Sequence, residues 1–465
     1  MTTSVHNLEP VRAGVARRII TPPFNVELAG LGYYLNRTPK RIRDDLAATA
    51  LVITGPRGNS IAFVAIDLCY GNQEFVEDIR SRVAAGTDIA PEAICVNCSH
   101  SHNAPVAADI LGVGEINVDY VHFAAQMAAD AVVQAWESRQ PAKFSVGSAE
   151  INGITFNRTR GNGPVDSRLA LLRVDTLKDK PMAVALNFHS HLTAHLETDL
   201  SAVSRDWSGE VTDQLEHALP GVMALYLQGI CGDVMLSPEF NSTARRFEPA
   251  QVITKAALTA WHDSKALTID VVGAVTGRIA IPTRRWTRDE INRDREEAQS
   301  RLKTGDTKDW LTGFARVIVT YPDRLPRRYE GSVEKTVAAV CRFGVEWTDA
   351  VLPDLETRPE TLQTEVQALR LGDVWFAAQS AELFTTLGLE LRRLWPHQNL
   401  FLLGYSNGSI GYLPDAYDVQ RKSYAANQSP KFTGQFPFTE HSGKVMVQGL
   451  LEVLNSLKAL GDNKS

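Results

Sequence analysis

The sequence predicts an α/β fold of mixed β-sheets packed with helices, and three observations carry that expectation. Short β-rich runs bounded by turn signals alternate with segments of helical period. Several apolar runs stop abruptly at polar, turn-rich segments, as buried strands do where they give way to loops. Composition is that of an ordinary globular protein, 44% hydrophobic and 22% charged, which favours neither disorder nor a fibrous architecture.

In chain order, Val11 to Ile20, Ala47 to Thr54 and Ile61 to Asp67 read as strands, punctuated by Pro22-Pro23 and Gly55-Pro56. A helical pattern runs from Gln73 to Ala84, the apolar strand Ile94 to Cys98 follows, and a long helix covers about Val118 to Ser138. This strand and helix alternation is the α/β signature. Met182 to Phe188 and Val222 to Leu227 are further apolar strands, ending in His189-Ser190-His191 and in Gln228-Gly229-Ile230-Cys231-Gly232-Asp233. Both junctions are site candidates. From Arg285 to Lys303 a heavily charged helix is expected, and residues 285–330 together read as an exposed insertion or lid. β-like segments return at Val337 to Trp347 and Leu362 to Ala378, then a helix over Ala381 to Leu394, a strand over Phe401 to Ser406 and a last helix from about Gly443 to Leu460. With no internal repeat or low-complexity linker, one large domain over residues 10–460 is expected.

Charge narrows the partners. The chain of 465 residues has a formal net charge of -6 and no Lys/Arg run long enough to track phosphates, which argues against nucleic acid. Met1 to Arg18 lacks a signal-peptide core, and no stretch approaches the ~20 apolar residues a membrane span needs. A cytoplasmic protein without stable membrane insertion is the expectation. Cys69, Cys95, Cys98, Cys231 and Cys341 are an odd set, expected to be reduced. The Cys95-x-x-Cys98 pair sits in a strand without a second such pair, so its thiols are expected to pack as small apolar groups.

Two tripeptides carry the chemistry. His100-Ser101-His102 and His189-Ser190-His191 each close a predicted strand and hold four of the chain's 11 histidines. Residues two apart on a strand point the same way, and neutral imidazole is the commonest metal ligand. Two such pairs converge on one ion, or all four imidazoles build a dinuclear site.

The surrounding motifs resemble those of the neutral ceramidase family. Asn97-Cys98-Ser99-His100-Ser101-His102-Asn103-Ala104-Pro105 is similar to the family's His-x-His-Ser-Gly-Pro stretch, and Asn187-Phe188-His189-Ser190-His191-Leu192-Thr193 to its Asn-Phe-x-x-His-x-Thr. Ala13-Gly14-Val15-Ala16, Ile20-Thr21-Pro22-Pro23 and Asp44 to Ala50 follow its N-terminal pattern. Ala378-Gln379-Ser380-Ala381-Glu382-Leu383-Phe384 resembles a carboxylate-bearing segment, and Tyr412 and Tyr424 match two family tyrosines in context and separation.

The resemblance implies a ceramidase-type catalytic domain with Zn2+ held by His100, His191, Glu382 and Tyr412, and with His102 and Tyr424 lining the substrate side. It departs at Gly232-Asp233-Val234-Met235-Leu236-Ser237. The family's nucleophilic Ser has its place taken by Met235, so either Ser237 or water activated beside the metal attacks, water being favoured. Asp233 and Gly232 are expected to shape a turn beside the metal. Arg205 either binds a substrate carboxylate or pairs with Asp206. The family's C-terminal immunoglobulin-like domain is not expected. These features together imply a zinc-dependent amidohydrolase acting on a small or acylated molecule, with a lactonase or esterase and a non-catalytic metal- or ligand-binding homologue as the alternatives.

Overall fold

The computed structural model describes residues 9–240, 242, 244–310 and 324–462. Its main element is a nine-stranded mixed sheet. The strand order is Met223–Gln228, Pro181–Phe188, Arg168–Thr176, Gln140–Glu150, Arg12–Ile19, Ala47–Thr54, Ser60–Ile66 and Ile94–Cys98, with Lys265–Ala266 pairing with Gln140–Glu150. Both terminal pairs are parallel and the interior is antiparallel. A second sheet orders Val272–Pro282, Thr361–Leu371, Val374–Gln379 and Leu400–Leu403. The two share a core: Phe63 of the first meets Phe376 of the second at 4.6 Å between ring centroids.

Helices cover these sheets where apolar period requires it. Val118–Glu137 buries a ridge of alanines, Ala124, Ala125, Ala128, Ala129, Ala131 and Ala135, whose small side chains allow close packing on the strands. Ser442–Asp462 lies on the second sheet, burying Met446, Leu450, Leu454 and Leu457. Among the described residues, no helix is long and apolar enough to cross a membrane.

Most expected elements stand within a residue or two; the helix expected from Arg285 starts at Arg288, the strand expected over Phe401 to Ser406 ends at Leu403, and two further readings change. The β-like reading of Val337 to Trp347 is overturned: Val333–Val351 is a helix, started by the Ser332 side chain accepting from Lys335 N–H. Its buried residues Val337, Val340, Cys341, Phe343, Gly344, Trp347 and Val351 follow a helical period, and tertiary packing of that face overrides the β propensity of its valines. The helix expected from Ala381 starts only at Thr385, because Glu382–Leu383 is drawn into a parallel pair with Tyr412–Leu413.

The charged helix is Arg288–Thr304, opened by a capping box between Thr287 and Glu290 and buried only at Ile291 and Ala298. It leans on Val333–Val351 through Trp286 against Trp347 and an Arg295–Asp349 ion pair. The part of the expected insertion at 311–323 lies outside the described residues.

Candidate metal centre

The centre forms where strand ends are tied together by buried amides. Asn97, on the edge strand Ile94–Cys98, accepts from Gln228 N–H at 2.7 Å and donates to Gly404 O at 2.7 Å. The Gln228 side chain in turn donates to Ser99 O at 3.0 Å and Ser190 O at 3.1 Å. One amide thus fixes the residue before His100 and the residue before His191. Ser101 and Leu192 form a parallel bridge, so the two tripeptides run side by side.

His100 Nε2 and His191 Nε2 lie 3.3 Å and 3.4 Å from the same carboxylate oxygen, Glu382 Oε2. Their other ring nitrogens face backbone carbonyls, Nδ1 of His100 at 2.9 Å from Cys69 O and Nδ1 of His191 at 3.0 Å from Val234 O. This arrangement directs both Nε2 atoms inward and fixes ring orientation, as carbonyl partners do for metal-ligating imidazoles. Glu382 reaches the centre because the Glu382↔Tyr412 pairing sets the carboxylate and the expected phenol ligand side by side. Tyr412 OH is 3.5 Å from His191 Nε2.

His191 is pushed down to about 3, chiefly by burial and by Arg158, so its ring is neutral. Burial opposes ionisation of Glu382, but His100 and His191 hold its carboxyl well below the usual range. Burial also opposes charge on His100, yet Cys69 and Glu382 raise it to about 10. His100 and Glu382 thus form a buried ion pair, and a cation held here would displace the His100 proton. Two imidazole nitrogens, a carboxylate oxygen and a nearby phenol fit the donor set of a catalytic zinc site.

Around these donors, His102 Nε2 lies 3.1 Å from His100 Nε2, and burial with the neighbouring His100, His191 and Arg158 keeps it neutral. Tyr424 stands against Tyr412 with ring centroids 6.2 Å apart, and burial raises its phenol to about 12, leaving it a proton donor.

Two residues at the centre escaped the sequence reading. Arg158 is half-buried just after a short strand and donates from Nη2 to Tyr412 OH at 2.6 Å and Gly232 O at 2.9 Å, with His191 Nε2 at 3.2 Å. Tyr405 stacks on His100 at 4.1 Å. Arg158 sits in an Asn-Arg-Thr-Arg turn whose only sequence signal is polarity before Gly161, and Tyr405 lies inside an apolar strand ending.

Of the remaining candidates, Gly232 and Asp233 form a turn beside Arg158 and Glu382, and the others lie away from the three donors. His189 accepts from Ile230 N–H at 3.0 Å and pairs with Asp166 at 3.4 Å, so the four-imidazole arrangement does not assemble; past the strand end the period-two rule no longer holds its ring beside His191. Asp233 Oδ1 accepts from Thr385 N–H and hydroxyl, both at 2.8 Å, and Oδ2 from Asn157 at 2.6 Å, which makes it a buried bracket. Its carbonyl accepts Arg158 N–H at 2.8 Å, and Gly232 accepts the Arg158 guanidinium. Ser237 follows the extended strand Val234–Leu236, pairs through its N–H with Ile154 O, and stands about 10 Å along the chain from the Val234 carbonyl that touches His191. The antiparallel partner runs Asn157 to Thr155 alongside, so the strand carries Ser237 away from Arg158. Arg205 pairs with Asp44 and Asp213, not with Asp206, whose carboxylate accepts from Ala194 and His195 N–H groups. All five cysteines are free and buried, Cys95 and Cys98 within their strand.

No family model and no curated protein sequence matches the chain. Among solved structures, the neutral ceramidase from Pseudomonas aeruginosa superposes with a TM-score of 0.71 at 15% identity, over 98% of this chain and 75% of that one. A ceramidase complexed with C2 gives 0.70 at 14% identity, over 97% and 75%. The structural neighbours are neutral ceramidases, and the expected ceramidase-type α/β fold is borne out.

Proposed function

We propose that the chain is a zinc-dependent hydrolase cleaving the carbon–nitrogen bond of an amide in a small or acylated substrate. The observation that carries this reading is the convergence of His100 Nε2, His191 Nε2 and Glu382 Oε2, with each imidazole anchored at Nδ1 by a backbone carbonyl. The likeness to ceramidase structures supports the same reaction class through the fold, and function follows the site.

Bound zinc supplies Lewis acidity toward a carbonyl and toward water. The chain supplies the rest. Arg158 and Tyr424 carry N–H and O–H donors beside Tyr412, where they stabilise negative charge developing on the substrate oxygen. His102, 3.1 Å from His100 Nε2, is the group beside the ligand set through which a proton passes from the attacking water to the departing amine. The antiparallel register that carries Ser237 away from Arg158 supports water rather than this hydroxyl as the attacking group.

The test is metal content by mass spectrometry on protein purified without added metal, with His191→Ala beside wild type and a panel of N-acyl compounds, lactams and lactones. About one zinc per chain, lost in the variant, together with amide turnover is the expected result. Turnover of lactones alone would replace the amidase by a lactonase. Zinc without turnover would leave a binding protein, and no zinc at all would overturn the reading.

A further inference from the structure

Tyr405 touches two of the three donor residues from one side. Its ring stacks on His100 with centroids 4.1 Å apart and planes 29° from parallel. Its hydroxyl donates to Glu382 Oε2 at 3.4 Å, the oxygen that also faces both imidazoles. On the far side of the phenol, Cys231 Sγ lies 3.1 Å from the hydroxyl oxygen, so the O–H has a second polar neighbour that limits its rotation.

The backbone holds this side chain in place at a conformational cost. Tyr405 has φ 50 and Asn407 φ 60, the left-handed region that a side chain disfavours. Cys98 N–H donates to Tyr405 O at 3.0 Å, Ser406 N–H to Gln379 O at 2.9 Å, and the Asn407 side chain accepts Val96 N–H at 2.9 Å. These bonds tie the Tyr405 segment to the strands Ile94–Cys98 and Val374–Gln379, which lead into His100 and Glu382. A core aromatic needs no such aim; this one has its polar end directed at a carboxylate.

We infer that Tyr405 is a positioning residue for the zinc site, resting on the reading of His100, His191 and Glu382 as its ligands. The phenol locks the Glu382 rotamer and draws charge from Oε2, while the ring fixes the plane of His100. Outer hydrogen bonds of this type set metal affinity through the ligands they orient, and losing one costs roughly 10- to 100-fold.

Tyr405→Phe keeps the stack and removes the hydrogen bond. The experiment is a competitive zinc titration of wild type and Y405F against a chromophoric chelator, with thermal unfolding of each protein zinc-loaded and chelated. Y405F is expected to bind zinc roughly 10- to 100-fold more weakly while its chelated form melts with chelated wild type. Equal zinc affinity in the two proteins overturns the assignment, as does a drop in melting temperature of the same size in both the loaded and the chelated state, the mark of a packing role alone. A wild type that binds no zinc sinks the metal site itself and this inference with it. Should Y405F not fold, Cys231→Ala leaves ring and hydroxyl present but frees the phenol; weaker zinc binding supports the assignment and wild-type affinity overturns it.

Discussion

A Cβ placed on Gly232 would stand 2.3 Å from the carbonyl oxygen of Glu382 and 2.9 Å from its carbonyl carbon. Gly232 N–H also donates to Leu383 O at 3.0 Å, so two backbones meet here with no room for a side chain. Gly232→Ala must push the Glu382 strand outward. Expected are a stability loss of about 1–3 kcal/mol by denaturant unfolding and weaker zinc binding by titration. A folded variant with unaltered zinc affinity would show that this contact does not hold the carboxylate in place.

Asp233 and Ser237 separate a structural role from an attacking one. Asp233→Ala strands the Thr385 and Asn157 donors in the interior and should cost about 1–3 kcal/mol for each unpaired donor. Ser237→Ala should leave amide turnover within about twofold of wild type, whereas Arg158→Ala should lower it by about 10²–10³. A steady-state comparison of the three variants checks this, and a Ser237→Ala protein as slow as Arg158→Ala would restore the hydroxyl as nucleophile.

Asp67 gives the folded protein a pH signature. Burial, opposed by Arg205 and by the Ala47 N–H that it accepts at 2.9 Å, raises its carboxyl to about 6. The folded chain therefore binds this proton more tightly than the unfolded chain, whose carboxyl titrates near 4. The sign follows: stability from this group is full below pH ~4, falls as pH rises to about 6, and changes no further above that. Asp67→Asn keeps an acceptor for Ala47 and should flatten that interval in urea midpoints measured from pH 4 to pH 8. An unchanged slope would place the titration elsewhere.

Much of this was legible before folding because strands and helices leave periodic traces. The strand Ala47–Thr54 falls on the residues expected, and His100 and His191 are marked by apolar runs that stop at polar tripeptides. The motif order also pointed to Glu382 and Tyr412, although nothing local in the sequence shows that they pair in register. What the sequence by itself determined, then, is the α/β class, the strand ends and the residue types able to hold a metal.

The tertiary structure decided which of those residues meet. His189 shares a tripeptide with His191 yet turns to Asp166, because beyond a strand end side-chain direction is set by whichever partner the fold supplies. Val333–Val351 is helical because a buried face with a period near 3.6 outweighs the β preference of its valines. Arg158 joins the centre across 254 residues of chain to Tyr412 and Tyr405 across 174 to Cys231, separations that no local pattern records. Periodicity is a property of neighbours in sequence, whereas a convergent donor set depends on the long-range register of strands, which is fixed only when the two sheets close on a common core.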